Sequence, residues 1–228
     1  MRMSAYFTDR TFAFLRDLAR NNDRAWFEDN RGRYEAEVRG PALAFIVNFA
    51  PRLKKISAHF RADPRKSGGS LFRIHRDTRF SKDKSPYKTS TGIQFRHEAG
   101  RNAHAPGFYL HIDPAGSFAG VGIWHPDPAT LRAIRDAIAD DPDAWDAATQ
   151  GAFGRFFSLG GDALSRPPRG YDASHPRVED LKRKDFVGVA DLSRDRITDP
   201  AFLDDFDDLC RAGAPFVRWL CGATGHPF

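Results

Sequence analysis

Residues 107–124 read GFYLHIDPAGSFAGVGIW. Apolar and polar or small side chains alternate with a period of two on both sides of Pro114-Ala115-Gly116-Ser117, which predicts two strands joined by a hairpin-like connection. The same period holds in LFRIHRD (71–77) and GIQFRH (92–97), so four short strands in an antiparallel meander follow. Writing out the alternation separates two faces. Phe72, Ile74, Ile93, Phe95, Phe108, Leu110, Ile112, Val121 and Ile123 fall on one, predicted to pack on helices. Arg73, His75, Gln94, Arg96, Tyr109, His111 and Asp113 fall on the other, with Gly120 and Gly122 leaving room beside Trp124, and this predicts a polar cleft floor.

Outward from the sheet the period lengthens to that of a helix. Thr8 or Asp9 is positioned to cap a first helix bearing Phe12, Phe14, Leu15 and Leu18, which ends at Asn21-Asn22. Asp23 caps a second, carrying Trp26, Phe27, Tyr34 and Val38. Gly40-Pro41 is expected to break that helix and Pro41 to start a third through Leu53. Beyond Trp124, His125-Pro126-Asp127-Pro128 opens a helix with Leu131, Ile134 and Ile138, followed by a short helix at Trp145. A strand near 156–159, a short helix to Lys184, a strand at 185–189 and a long terminal helix from Asp199 complete the chain. The prediction is an α+β fold with N-terminal helices, a central antiparallel sheet of four to six strands, and C-terminal helices packing on one face. One domain over 1–228 is expected, since neither a repeat nor a long linker interrupts it.

The 228 residues are 41% hydrophobic and 29% charged, a composition that excludes disordered and collagen-like chains. Cys210 and Cys221, eleven apart on a helix, stand roughly 16 Å apart along its axis, too far for a disulfide. Reduced thiols, an N-terminus without an apolar leader segment, and the lack of an apolar run of about 18 residues together predict a cytoplasmic protein with no membrane span.

The net charge of +5 is concentrated. Residues 65–88 hold eight Lys and Arg against Asp77 and Asp83, which is more than the whole excess. A patch on a nearly neutral body points to a site for an anion rather than to a diffuse polyanion surface. Within it, FRIHRDTRFSKDKSPYKT (72–89) alternates cations with hydroxyls, the donors that hold phosphate or carboxylate. The spacing is neither a phosphate-binding GxxxxGK[ST] loop nor a dinucleotide fingerprint. A solvated loop tied down by its own salt bridges is the competing reading.

That string, with LARNNDRAWFEDNRGRY (18–34), PGFYLHIDPAGSFAGVGIW (106–124) and RPPRGYDASHPRVEDLKRKDF (166–186), resembles a widespread, mainly bacterial and fungal family of conserved hypothetical proteins catalogued as a domain of unknown function. The similarity spans residues 8–220. It implies no activity, cofactor or catalytic residue.

The candidate ligand-binding residues are therefore Arg73, Arg76, Asp77, Arg79, Lys82, Lys84, Lys88 and Arg96. Candidates for proton transfer or ligand contact are His111, Tyr109 and His75. A metal would need more ligands than His75, His111 and Asp113 supply by spacing, so neither metal nor cofactor is expected. The leading expectation is a protein binding a phosphorylated or other anionic small molecule where the polar sheet face meets the 76–89 loop, with enzymatic use of His or Tyr left open. Two alternatives stand beside it: a nucleic-acid-binding module using the basic 65–88 segment with Phe80 and Tyr87 interleaved, and a partner-binding structural protein. The acidic run Asp204, Asp205, Asp207 and Asp208 is read as a solvated helix face that could alternatively neutralise the basic loop.

Overall fold

Capping residues set the first two helices. In the computed structural model, which describes residues 5–100 and 105–228, the Thr8 side chain caps α1 (Asp9–Arg20) and the Asp23 carboxylate accepts from the Trp26 N–H to start α2 (Arg24–Asp29). Residues 1–4, part of the stretch read for a leader segment, lie outside the described residues.

The break expected at Gly40-Pro41 does not occur. The short helix α3 (Arg31–Tyr34) widens into a π turn at Glu35–Arg39 and runs on into α4 (Gly40–Ile56) with Gly40 helical at φ −58°. Pro41 has no N–H to give the carbonyl four residues back. That carbonyl, Glu37 C=O, instead accepts from the Thr11 hydroxyl at 2.7 Å, so α1 supplies the donor that proline withholds.

Among the described residues the sheet has six strands in the order β1-β2-β3-β4-β6-β5, all antiparallel. They are β1 (Phe60–Arg61), β2 (Thr91–His97), β3 (Gly107–Ile112), β4 (Ser117–Ile123), β5 (Ser158–Gly160) and β6 (Phe186–Leu192). The 113–117 connection closes as expected: Asp113 accepts from Ala115 N–H, and Ser117 Oγ accepts from Asp113 N–H.

The segment 71–77 departs from its predicted strand. It makes isolated bridges only, Leu71 to Ile93 and His75 to Tyr87. Ile74 C=O accepts from Lys88 N–H at 2.7 Å and Pro86 C=O from Arg76 N–H at 2.9 Å, so 74–76 pairs with 86–88 and residues 77–85 form the tip of a hairpin-like excursion. Residues 70–72 still bond to β2, with Gln94 N–H donating to Ser70 C=O and Phe72 N–H to Gly92 C=O, so Leu71 stands opposite Ile93 and Phe72, expected in the core, falls on the opposite face of the sheet.

The remaining helices are α5 (Pro128–Asp140), α6 (Pro142–Thr149), α7 (Gly151–Phe156), α8 (Val178–Leu181), α9 (Arg194–Thr198) and α10 (Phe202–Ala223). The other residues assigned to the core face, Ile74, Ile93, Phe95, Phe108, Leu110, Ile112, Val121 and Ile123, are all buried. Phe49 and Phe206, from α4 and α10, pack on Phe95; Trp145, Phe153 and Phe216 continue the layer beneath β6. Phe27 and Tyr34 are buried as expected, with Trp26 partly covered. Cys210 and Cys221 are unbridged and buried on α10. No helix among the described residues is long and apolar enough to cross a membrane.

Candidate functional site

Helices cover one face of the sheet; the other carries a groove of about 370 Å³. Register determines what lines it. Across the strands, Gln94, Tyr109, Gly120 and Val189 form one row, and Gly92, His111 and Phe118 the next. Gly120 lacks a side chain to fill the floor, and Phe72, Phe118, Trp124, Val187 and Val189 supply the walls. The expected polar floor is thus mostly aromatic and apolar. Phe118 occupies the same parity as Gly120 and Gly122, and β6, a strand 60 residues away in sequence, adds its valines.

Tyr109 and His111 are the polar centre. The Tyr109 hydroxyl lies 3.1 Å from His111 Nδ1, and His111 Nε2 faces Asp113 Oδ2 at 3.8 Å. With tyrosine donating to Nδ1, the imidazole proton resides on Nε2. Burial pushes the Tyr109 phenol up to about 12. Burial also holds the His111 imidazole below its ordinary value against the opposing pull of Asp113, so the pair is neutral near pH 7. A Cβ on Gly92 would sit 2.5 Å from the Tyr109 hydroxyl, so only glycine leaves the ring this position. The Gln94 amide, in the same lining, has no hydrogen-bond partner among the described residues.

The basic segment divides. Arg76 pairs with Asp83, and Arg79 makes two hydrogen bonds to Asp77 at 2.9 and 2.7 Å. Those contacts hold the Asp77 carboxyl down at about 2. Lys84 donates to Thr78 C=O. Arg96 donates to Gly68 and Gly69 carbonyls and lies outside the groove lining. Lys82 is exposed on the loop tip.

Lys88 and Arg73 differ. Neither forms a salt bridge among the described residues. The Lys88 ammonium stands 5.3 Å from the centre of the Phe72 ring, which itself lines the groove. Burial, with the neighbouring Arg73 charge added, lowers the Lys88 ammonium below its ordinary value. Arg73 is exposed and also acts on the Asp77 carboxylate, so Lys88 is the cation of the two that an added anion would stabilise most.

Position is enforced from the α1–α2 turn and from α2. Asn22 donates its amide to Tyr87 C=O at 2.9 Å and accepts Tyr87 N–H at 3.0 Å, while Tyr87 stacks on Phe27 at 4.1 Å. This clamp fixes the backbone one residue before Lys88. His75 sits outside the groove, edge-on to Phe27 and against Tyr87, and is not brought to Tyr109 and His111.

The acidic run on α10 neutralises other cations than those of the loop: Asp204 and Asp207 meet Arg52, Asp205 meets Arg196, and Asp207 also meets Arg211. No group of three or more metal-ligating side chains is found among the described residues.

Sequence reasoning missed one pair beside Trp124, which lines the groove. Asp185, 1% exposed, accepts His125 N–H at 2.7 Å and lies 3.0 Å from His125 Nδ1, and it also accepts Asp162 N–H. His125 adopts φ +50° and stacks on Trp124. The residues are 60 apart, and no local pattern joins them. A second, larger concavity is lined by Tyr6, Asp9, Arg10, Glu37 and Thr198 and so carries both carboxylates and a cation.

The chain belongs to the DUF2461 family of conserved hypothetical proteins, whose model matches residues 10–219. No curated protein matches it significantly.

Proposed function

We propose that this protein binds an anionic small molecule, with the charged group on Lys88 and Arg73 and the body of the ligand in the sheet groove. The observation that carries this reading is the Lys88 ammonium, half-buried, held over a groove-lining phenyl ring and without an acidic partner among the described residues. A half-buried charge left unpaired costs stability, and a bound phosphate or carboxylate offsets that cost. The cationic contribution of Arg76, Arg79 and Lys84, expected at the ligand, is reduced because their side chains are engaged within the loop.

Acid–base chemistry on the bound molecule is the second reading, favoured by the Tyr109–His111 hydrogen bond inside the same groove. Calorimetric titration with phenyl phosphate tests the binding reading. Saturable binding that Lys88→Gln weakens at least tenfold is expected; equal binding by wild type and Lys88→Gln contradicts it. Tyr109→Phe addresses the second reading: turnover of a bound ligand falls while its affinity stays within a few-fold.

A further inference from the structure

We infer that the groove accepts a nucleotide unit, with the base lying flat over Gly120 among Tyr109, Phe118 and Phe72 and the phosphate on Lys88 and Arg73. The inference rests on the anion reading above and adds the chemistry of the ligand's body. Three observations on the groove converge on a planar heterocycle rather than an alkyl chain.

The floor at Gly120 is bare backbone, so a flat ring can approach the sheet closely. A Cβ there would stand in ordinary van der Waals contact with Tyr109 at 3.5 Å and Phe118 at 3.7 Å, so the bare backbone is flanked by the two rings at contact distance. The walls are π-faces: Phe118 stacks on His111 at 4.8 Å, Tyr109 tilts against Phe118 at 5.8 Å, and Phe72 against Tyr109 at 5.9 Å. Aromatic side chains hold bases of any sequence by stacking. The unpartnered Gln94 amide, directly opposite Tyr109 in the ladder, presents a donor and an acceptor together, the pair that reads the edge of a base. An alkyl chain would leave that amide unsatisfied. A volume of about 370 Å³ suits one nucleotide and is too small for a folded partner.

The same chemistry is offered by a free mononucleotide and by one residue of a single strand. Beyond the groove, only a strand would also meet Phe80, 96% exposed on the loop tip between Arg79 and Lys82.

Calorimetry on the full chain with AMP, UMP, ribose 5-phosphate and the oligonucleotide rA10 separates these cases. AMP and UMP are expected to bind about tenfold or more tighter than ribose 5-phosphate, the gain expected from stacking one base. Gly120→Val, which fills the floor, and the milder Gly120→Ala should erase the difference in affinity between AMP or UMP and ribose 5-phosphate; melting curves confirm that each variant is folded. Equal affinity for AMP, UMP and ribose 5-phosphate, all lost in Lys88→Gln, would overturn the nucleotide inference and leave the anion reading intact. Lack of binding by any of the four probes overturns both. If rA10 exceeds AMP with a steep salt dependence, and Phe80→Ala abolishes that excess, the unit belongs to a strand; equal affinity of rA10 and AMP assigns it to the free nucleotide.

Discussion

Two parts of one basic segment behave oppositely. Between residues 76 and 84, Arg76 closes on Asp83, Arg79 on Asp77 and Lys84 on the Thr78 carbonyl, so the loop satisfies its own cations. Lys88 and Arg73, at the base of the same excursion, form no salt bridge among the described residues, and the Lys88 ammonium stands over Phe72, which lines the groove. Formal charge in a sequence is therefore a poor guide to charge available for a ligand. The difference arises from reach: an Asp two residues from Arg79 or seven from Arg76 is placed by local loop geometry, whereas the backbone around Lys88 is held by Asn22 in the α1–α2 turn and to the chain at Ile74.

Substitution at Lys88 should break the comparison most visibly. Lys88→Gln is expected to weaken phosphate-ester binding by about 1.5–3 kcal/mol, the range for a hydrogen bond to a charged group, measured by calorimetry. Next in size is the clamp. Asn22→Ala leaves the Tyr87 N–H and C=O without their partners in a part-buried place and should cost about 1–3 kcal/mol in urea unfolding, with anion affinity falling alongside as Lys88 loses its fixed backbone.

A smaller effect comes from pH. His111 and the fully buried His97, whose Nε2 lies 2.8 Å from Pro227 C=O and whose Nδ1 accepts Ala99 N–H, are both held below the ordinary histidine value chiefly by burial. The unfolded chain then binds protons more readily than the folded one. Stability should be constant above about pH 7 and fall as pH drops through the ordinary histidine value near 6.5 towards the lower folded values. Denaturant melts at pH 7.5, 6.5 and 5.5 measure this, and His111→Gln should flatten part of the slope. The smallest change is expected from Arg76→Gln with Arg79→Gln. These are surface loop ion pairs, with Arg76 partly covered, and the double variant should bind phosphate esters within about twofold of wild type and lose less than about 1 kcal/mol of stability. A large loss of binding there, with Lys88→Gln silent, would invert the comparison.

The sheet was legible because period-two alternation is local: all the residues read onto its core face except Phe72 are buried. Thr8, one of the two residues read as a first cap, and Asp23 likewise cap their helices, and Asp127 caps the helix that the 125–128 pattern opens. Gly40-Pro41 misled because the donor that makes proline tolerable there, Thr11, lies 30 residues earlier and reaches Glu37 only in the folded molecule. The candidate site was legible in its parts, Tyr109, His111, Lys88 and Arg73, and not in its character. Whether a cation is committed depends on loop geometry, and whether a sheet face is polar depends on which strand arrives next; Val187 and Val189 come from a strand that no pattern near Tyr109 foretells. His125 and Asp185 show the same limit, their contact being made by the fold alone.

The central claim is that the uncommitted pair, and not the self-neutralised loop, is where an anion binds. Mapping amide chemical shifts while inorganic phosphate is titrated into the isotopically labelled protein tests it most directly. The account predicts saturable shifts centred on Phe72, Arg73 and Lys88, with residues 79–84 nearly still. Shifts centred on Arg79, Lys82 and Lys84, with Lys88 unmoved, would contradict it.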